Sequence, residues 1–165
     1  MRRLYIKQKI FSIAGKFTVK DQDEKDVFYV EGSWMKIPKT FSIMNKEMNE
    51  VALITKKTFS FLPTFFVETE GQELVTIKKQ FTFFKSNYSI DAVGIEVTGN
   101  WWDMNFDVLQ NGEVIGTVDK HWFTWGDSYQ IQIMKEEMET LIVALVIAID
   151  CAKADQAAAS SAATM

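Results

Sequence analysis

The chain is poor in the residues that carry most protein chemistry. In 165 residues it has one cysteine, one histidine and two prolines. The lone Cys151 excludes an intrachain disulfide, and it implies no redox compartment. Nucleophilic catalysis therefore has few players. A Cys–His pair would need Cys151 and His121 in one cleft, whereas a buried cysteine ordinarily behaves as a small hydrophobe. No glycine-rich phosphate loop is present, because Gly94, Gly99, Gly112 and Gly116 are scattered through expected turns and strands. Helical periodicity is missing before residue 136. Pro38 and Pro63 fall in connectors, where a missing N–H does least harm. The longest unbroken apolar run, Leu141–Ile149, is too short to cross a membrane as a helix, which takes about 20 residues. Met1–Lys9 has the charges of a signal peptide but no apolar run behind them, so it reads as the first strand of a cytoplasmic protein.

What is present favours strands. The composition is 47% hydrophobic and 24% charged, as expected for one soluble domain with a single core. Aromatics reach 13%, with 13 Phe and 5 Trp, and these side chains suit the half-buried surface of a sheet. A three-residue pattern, aromatic, any residue, then Val or Ile, recurs six times. It begins at Phe17, Phe41, Phe65, Tyr88, Phe106 and Tyr129, in steps of 24, 24, 23, 18 and 23 residues. Such alternation marks a strand with one buried face. A polar turn and a second apolar run follow each of the first five. One turn is Asn111-Gly112, a pair that readily takes positive φ. With an opening strand near Leu4–Phe11 the count is about twelve. So long a meander must close or fold into two sheets, since free edges invite aggregation.

Three readings compete for Leu141–Ile149: a membrane span, a thirteenth strand, and a helix apolar on every side and hence buried on every side. Glu136, Glu137 and Glu139 before it suit the positive end of a helix. A closed barrel would supply the enclosure. The resulting expectation is a closed antiparallel β-barrel of about twelve strands over residues 1–155, around a helix at about 136–153. A low-complexity tail at 156–165 would follow.

The chain resembles the LURP-one-related family of the Tubby C-terminal-like superfamily, which also contains the phospholipid scramblases. The residues that carry the resemblance are Lys36-Ile37-Pro38-Lys39-Thr40-Phe41-Ser42-Ile43, Gly99-Asn100-Trp101-Trp102-Asp103, Trp122-Phe123-Thr124-Trp125-Gly126-Asp127 and the terminal Ala148-Ile149-Asp150. It implies a twelve-stranded barrel around a central hydrophobic helix, and no particular activity. Tubby domains bind phosphoinositide head groups through basic residues on one face. Lys56-Lys57 and Lys78-Lys79 close two consecutive returning strands, and Lys36, Lys39 and Lys85 sit in related connectors. If the repeats superpose, these lysines emerge at one barrel end.

Charge is unevenly spread. The net charge is −4, but residues 1–90 carry 15 Lys+Arg against 10 Asp+Glu, and residues 91–165 carry 3 against 12. That asymmetry can place a cationic face on an acidic protein, whereas the net charge of −4 disfavours nucleic acid as a partner. The acidic turn Asp21, Asp23, Glu24 and Asp26 lacks the glycine and flanking helices of a calcium hand, and reads as a solvated hairpin tip. The expected function is a non-enzymatic binding module without metal or cofactor. It would take anionic phospholipid at the cytoplasmic membrane face through Lys36, Lys39, Lys56, Lys57, Lys78, Lys79 and Lys85. Two alternatives remain. One is a structural or protein-interaction module with an aromatic rim. The other is an enzyme using carboxylates such as Asp103 and Asp107.

Overall fold

In the computed structural model the alternating segments form twelve antiparallel strands. Residues 1–7, 15–33, 37–58, 62–70, 72–81, 86–92, 94–123 and 126–163 are described. The strands are β1 (Arg2–Lys7), β2 (Lys16–Asp21), β3 (Asp26–Gly32), β4 (Thr40–Met44), β5 (Glu50–Lys56) and β6 (Thr64–Thr69). They continue as β7 (Gln72–Phe81), β8 (Ser86–Ala92), β9 (Ile95–Asn100), β10 (Asn105–Gln110), β11 (Glu113–Phe123) and β12 (Gly126–Ile133). Neighbours in sequence are neighbours in the sheet, with one exception. The order runs β8 to β1, then β12 to β9, so β1 pairs with β12. The sheet is thus curled into a nearly closed barrel. Its seam lies between β8 and β9, which no ladder joins among the described residues.

The aromatic pattern marks the inner face of the even strands β4, β6, β10 and β12. Phe41 and Ile43 on β4, Phe65 and Val67 on β6, Phe106 and Val108 on β10, and Tyr129 and Ile131 on β12 are all buried. Between them Ser42, Phe66 and Asp107 are only partly buried, as the two-residue period of a strand requires. Sharp turns join each even strand to the next. Asp21 accepts from the backbone N–H groups of Asp23 and Lys25, and Asn45 accepts likewise from Glu47 and Asn49. Three residues after each of them, Glu24 and Met48 take positive φ. The Asn111-Gly112 turn has φ of 54° and 80°, as expected of that pair.

The plug is a helix, α1 (Glu139–Ala163), entered through a 3₁₀ turn at Glu136–Met138. Every residue from Leu141 to Ala152 is buried, so the helix has no solvent face over three turns. This favours the buried-helix reading over a span or a further strand. The helix does not stop near residue 153. It continues through the alanine-rich segment expected to be a tail, because Ala is the best helix former and no glycine or proline intervenes. No helix is long and apolar enough to cross a membrane among the described residues. Gly116 on β11 lets the helix approach closely, since a Cβ there would lie 2.8 Å from Ile142 Cδ1. At the helix start Arg2 donates to both Glu139 oxygens, at 2.8 and 2.9 Å, and ties the plug to β1. Burial outweighs Arg2 there and raises the Glu139 carboxyl above its ordinary range.

Candidate functional site

Meander parity decides where the charges go. Connections from even to odd strands gather at one end of the barrel with the helix start. Those from odd to even strands gather at the other, the mouth, where α1 emerges. The turns at the first end, with the helix entry, span residues 21–26, 45–50, 68–73, 91–96, 110–113 and 134–139, and hold 15 of the 22 acidic residues. Charge is therefore separated along the barrel axis. Both halves of the chain contribute turns to the acidic end.

Lysines mark the mouth. Lys39 precedes β4, Lys56 ends β5 with Lys57 just after it, and Lys78 and Lys79 lie near the end of β7. Backbone bonds stitch them into one rim. Lys56 N–H donates to the Lys39 carbonyl at 2.9 Å, Lys57 to Thr64 at 2.8 Å, and Lys79 to Pro63 at 2.9 Å. Four consecutive strands span about 14 Å, so these five lysines share one arc. Lys39, Lys57 and Lys78 are exposed, whereas Lys56 and Lys79 are only partly so. Lys36 and Lys85 lie outside the described residues. Next to the rim Ile37 is 82% exposed, an apolar side chain beside cationic ones.

On the inner side of this arc is a cleft of about 240 Å³, between Gly15, the ends of strands β3 to β6 and residues 151–158 of α1. Lys39, Lys56, Phe41, Phe65, Cys151 and Asp155 are among its lining residues. Lys39 Nζ stands 5.4 Å from the Phe41 ring centre, a cation–π distance. Lys56 Nζ is ion-paired with Asp155 Oδ1 of the helix. The wall is set back at Gly32, where a Cβ would sit 2.8 Å from the Phe41 ring. Burial first, then the Asp150 carboxylate, push the Cys151 thiol well above its ordinary value. That shift favours the neutral thiol, which is a poorer nucleophile than a thiolate. The His121 side chain lies outside the description, though its backbone pairs with Ser128.

A second polar group sits on the helix. Asp150 is 8% exposed, and Tyr129 Oη donates to it at 3.1 Å. Burial raises its carboxyl to about 6, against the opposing effects of Tyr129 and Lys153. Burial also lowers the ammonium of half-buried Lys153, with Lys120 acting the same way and Asp150 and Asp103 opposing. The carboxylates Asp103 and Asp107 do not share a site. Asp103 is exposed and accepts from Asn100 Nδ2 at 2.6 Å, while Asp107 lies within β10 between Thr98 and Thr117. In the acidic hairpin tip Asp21 accepts backbone hydrogen bonds and Asp26 pairs with Lys20 at 2.6 Å. No cluster of metal-ligating side chains occurs among the described residues.

The family model for LURP-one-related proteins matches residues 2–150, from the first strand to the buried Asp150. The chain belongs to the LURP-one-related family. It is 31% identical over 150 residues to the uncharacterized protein YxjI of Bacillus subtilis (strain 168), covering 91% of this chain and 93% of that one. A crystal structure of an Arabidopsis thaliana protein superposes with a TM-score of 0.59 at 12% identity, over 91% of this chain and 90% of the other. That likeness is one of fold. It agrees with the β-barrel and its central helix. Sequence reasoning found the rim lysines through the repeat but missed Asp155. That residue lies just beyond the expected helix end at about 153, and it is 99 positions from the lysine it meets.

Proposed function

We propose that the protein is a binding module that docks its basic mouth on anionic phospholipid. The observation that carries this reading is the axial charge separation, with exposed Lys39, Lys57 and Lys78 on one arc and most carboxylates at the opposite end. A lysine near an acidic bilayer contributes about 1 kcal/mol within a Debye length. Three together correspond to roughly a hundredfold in affinity. Exposed Ile37 beside them suits entry into the interfacial layer. Lys56 is not counted among the free charges, because Asp155 holds it. The test is co-sedimentation with neutral and anionic vesicles at low and moderate salt. Binding should need the anionic lipid, weaken steeply with salt and be lost when Lys39, Lys57 and Lys78 become Glu. Equal, negligible binding to both vesicle types would remove this reading.

The seam favours a second reading, a protein partner that adds a strand. β8 and β9 present edges that no other strand covers among the described residues, and such edges accept an extended segment. Slowed amide exchange in β8 and β9 on mixing with a captured partner would support it.

A further inference from the structure

The cleft inside the lysine arc is built unlike a simple solvated rim. Two ammonium groups, Lys39 and Lys56, converge on a space of about 240 Å³. At about 30 Å³ per water that is room for roughly eight waters, more than a phosphate group needs. Asp155 is the one carboxylate among the lining residues described. It does not face solvent freely, because its side chain is 26% exposed and that of Lys56 is 32% exposed, so their pair is partly desolvated. Lys39 has no ion pair among the described residues. Ser33 accepts from the Thr40 N–H at 2.8 Å, which leaves its own proton to donate. The Asp155 carboxylate carries its negative charge at the cleft itself, so an anion would enter more readily without it.

We infer that the cleft is a phosphate-group site which Asp155 fills from within, acting as a tethered competitor for Lys56. A phosphate from a lipid head group or from solution displaces the Asp155 carboxylate, accepts from Lys56, Lys39 and Ser33, and leaves Phe41 and Phe65 as the apolar wall. The contact is an autoinhibitory one. It keeps the site neutralised until a ligand of higher charge density arrives. This inference rests on the mouth being the binding end, but it concerns one internal carboxylate, whereas the docking reading concerns the exposed rim.

The experiment is isothermal titration of the full-length chain with inorganic phosphate at fixed ionic strength, for the wild type and for Asp155→Asn, Lys56→Gln and Lys56→Arg. Vesicle co-sedimentation of the same proteins runs in parallel, and near-ultraviolet circular dichroism checks the fold. Asp155→Asn should bind phosphate about fivefold tighter, the effect of freeing a partly buried ion pair. Lys56→Gln should weaken binding at least about tenfold, as loss of a charge-assisted bond does, and Lys56→Arg should restore it. If Asp155→Asn lowers the melting temperature and leaves phosphate affinity unchanged, the pair is a structural latch and the inference falls. If phosphate tightens on Asp155→Asn while no protein sediments with vesicles, the ligand is free phosphate. The inference then stands without the membrane reading. If vesicles bind every variant alike and phosphate binds none, the membrane reading stands and the inference is overturned.

Discussion

Asp150 is the sharpest test of how the plug is held. Its carboxyl lies within the barrel on the fourth turn of a helix surrounded by apolar side chains, with Tyr129 Oη as hydrogen-bond donor and Lys153 close by. Burial raises its pKa to about 6 from an ordinary 3.8. A carboxyl with a raised native pKa binds its proton more tightly when folded. Its effect is absent where both states are protonated, below about pH 4, and grows as pH climbs towards 6. Above that it persists in full as a destabilisation of the charged native state. About two pKa units correspond to roughly 3 kcal/mol. Asp150→Asn keeps the shape and an acceptor for Tyr129 and removes the ionisation. The variant should match the wild type at pH 4 and exceed it by up to about 3 kcal/mol at pH 8. For a chain of this length that is a rise of roughly 6–12 °C in melting temperature. Thermal melts of both proteins at half-unit pH steps give the difference, in which the titration of Glu139, Asp21 and Asp26 cancels. A difference that stayed constant from pH 4 to 8, or changed sign, would refute the desolvation argument.

Two other outcomes concern the same plug. Val146 is 0% exposed, so Val146→Asp buries an unpaired charge that costs several kcal/mol, against a whole-domain stability of about 5–15 kcal/mol. That variant should be unfolded by far-ultraviolet circular dichroism, and a native melting temperature would show that the helix is dispensable. Gly116→Val should destabilise the chain by about 1–3 kcal/mol in urea, since even its Cβ reaches within 2.8 Å of Ile142 Cδ1 and within 3.3 Å of the Gln132 carbonyl. Unchanged stability would mean that Ile142 repacks freely.

The repeat and the plug were legible in the residues because both are local. A two-residue period marks the inner face of each strand wherever the strand goes, so Phe41-Ser42-Ile43 and Tyr129-Gln130-Ile131 identify themselves without a partner. Leu141–Ile149 is apolar on all sides, and only full enclosure satisfies such a helix. Meander parity alone sends alternate connections to opposite ends, so the common mouth of Lys39, Lys56 and Lys78 also followed from strand order. What tertiary structure alone decided is which charges remain free there. Lys56 is captured by Asp155 of the helix, and its neighbour Lys57 is not, because successive side chains on a strand face opposite ways and only one of them meets the plug. Likewise Asp150 and Cys151 owe their shifted protonation to desolvation within the barrel. No sequence window contains that environment, because it is built from strands on both sides of the chain's fold.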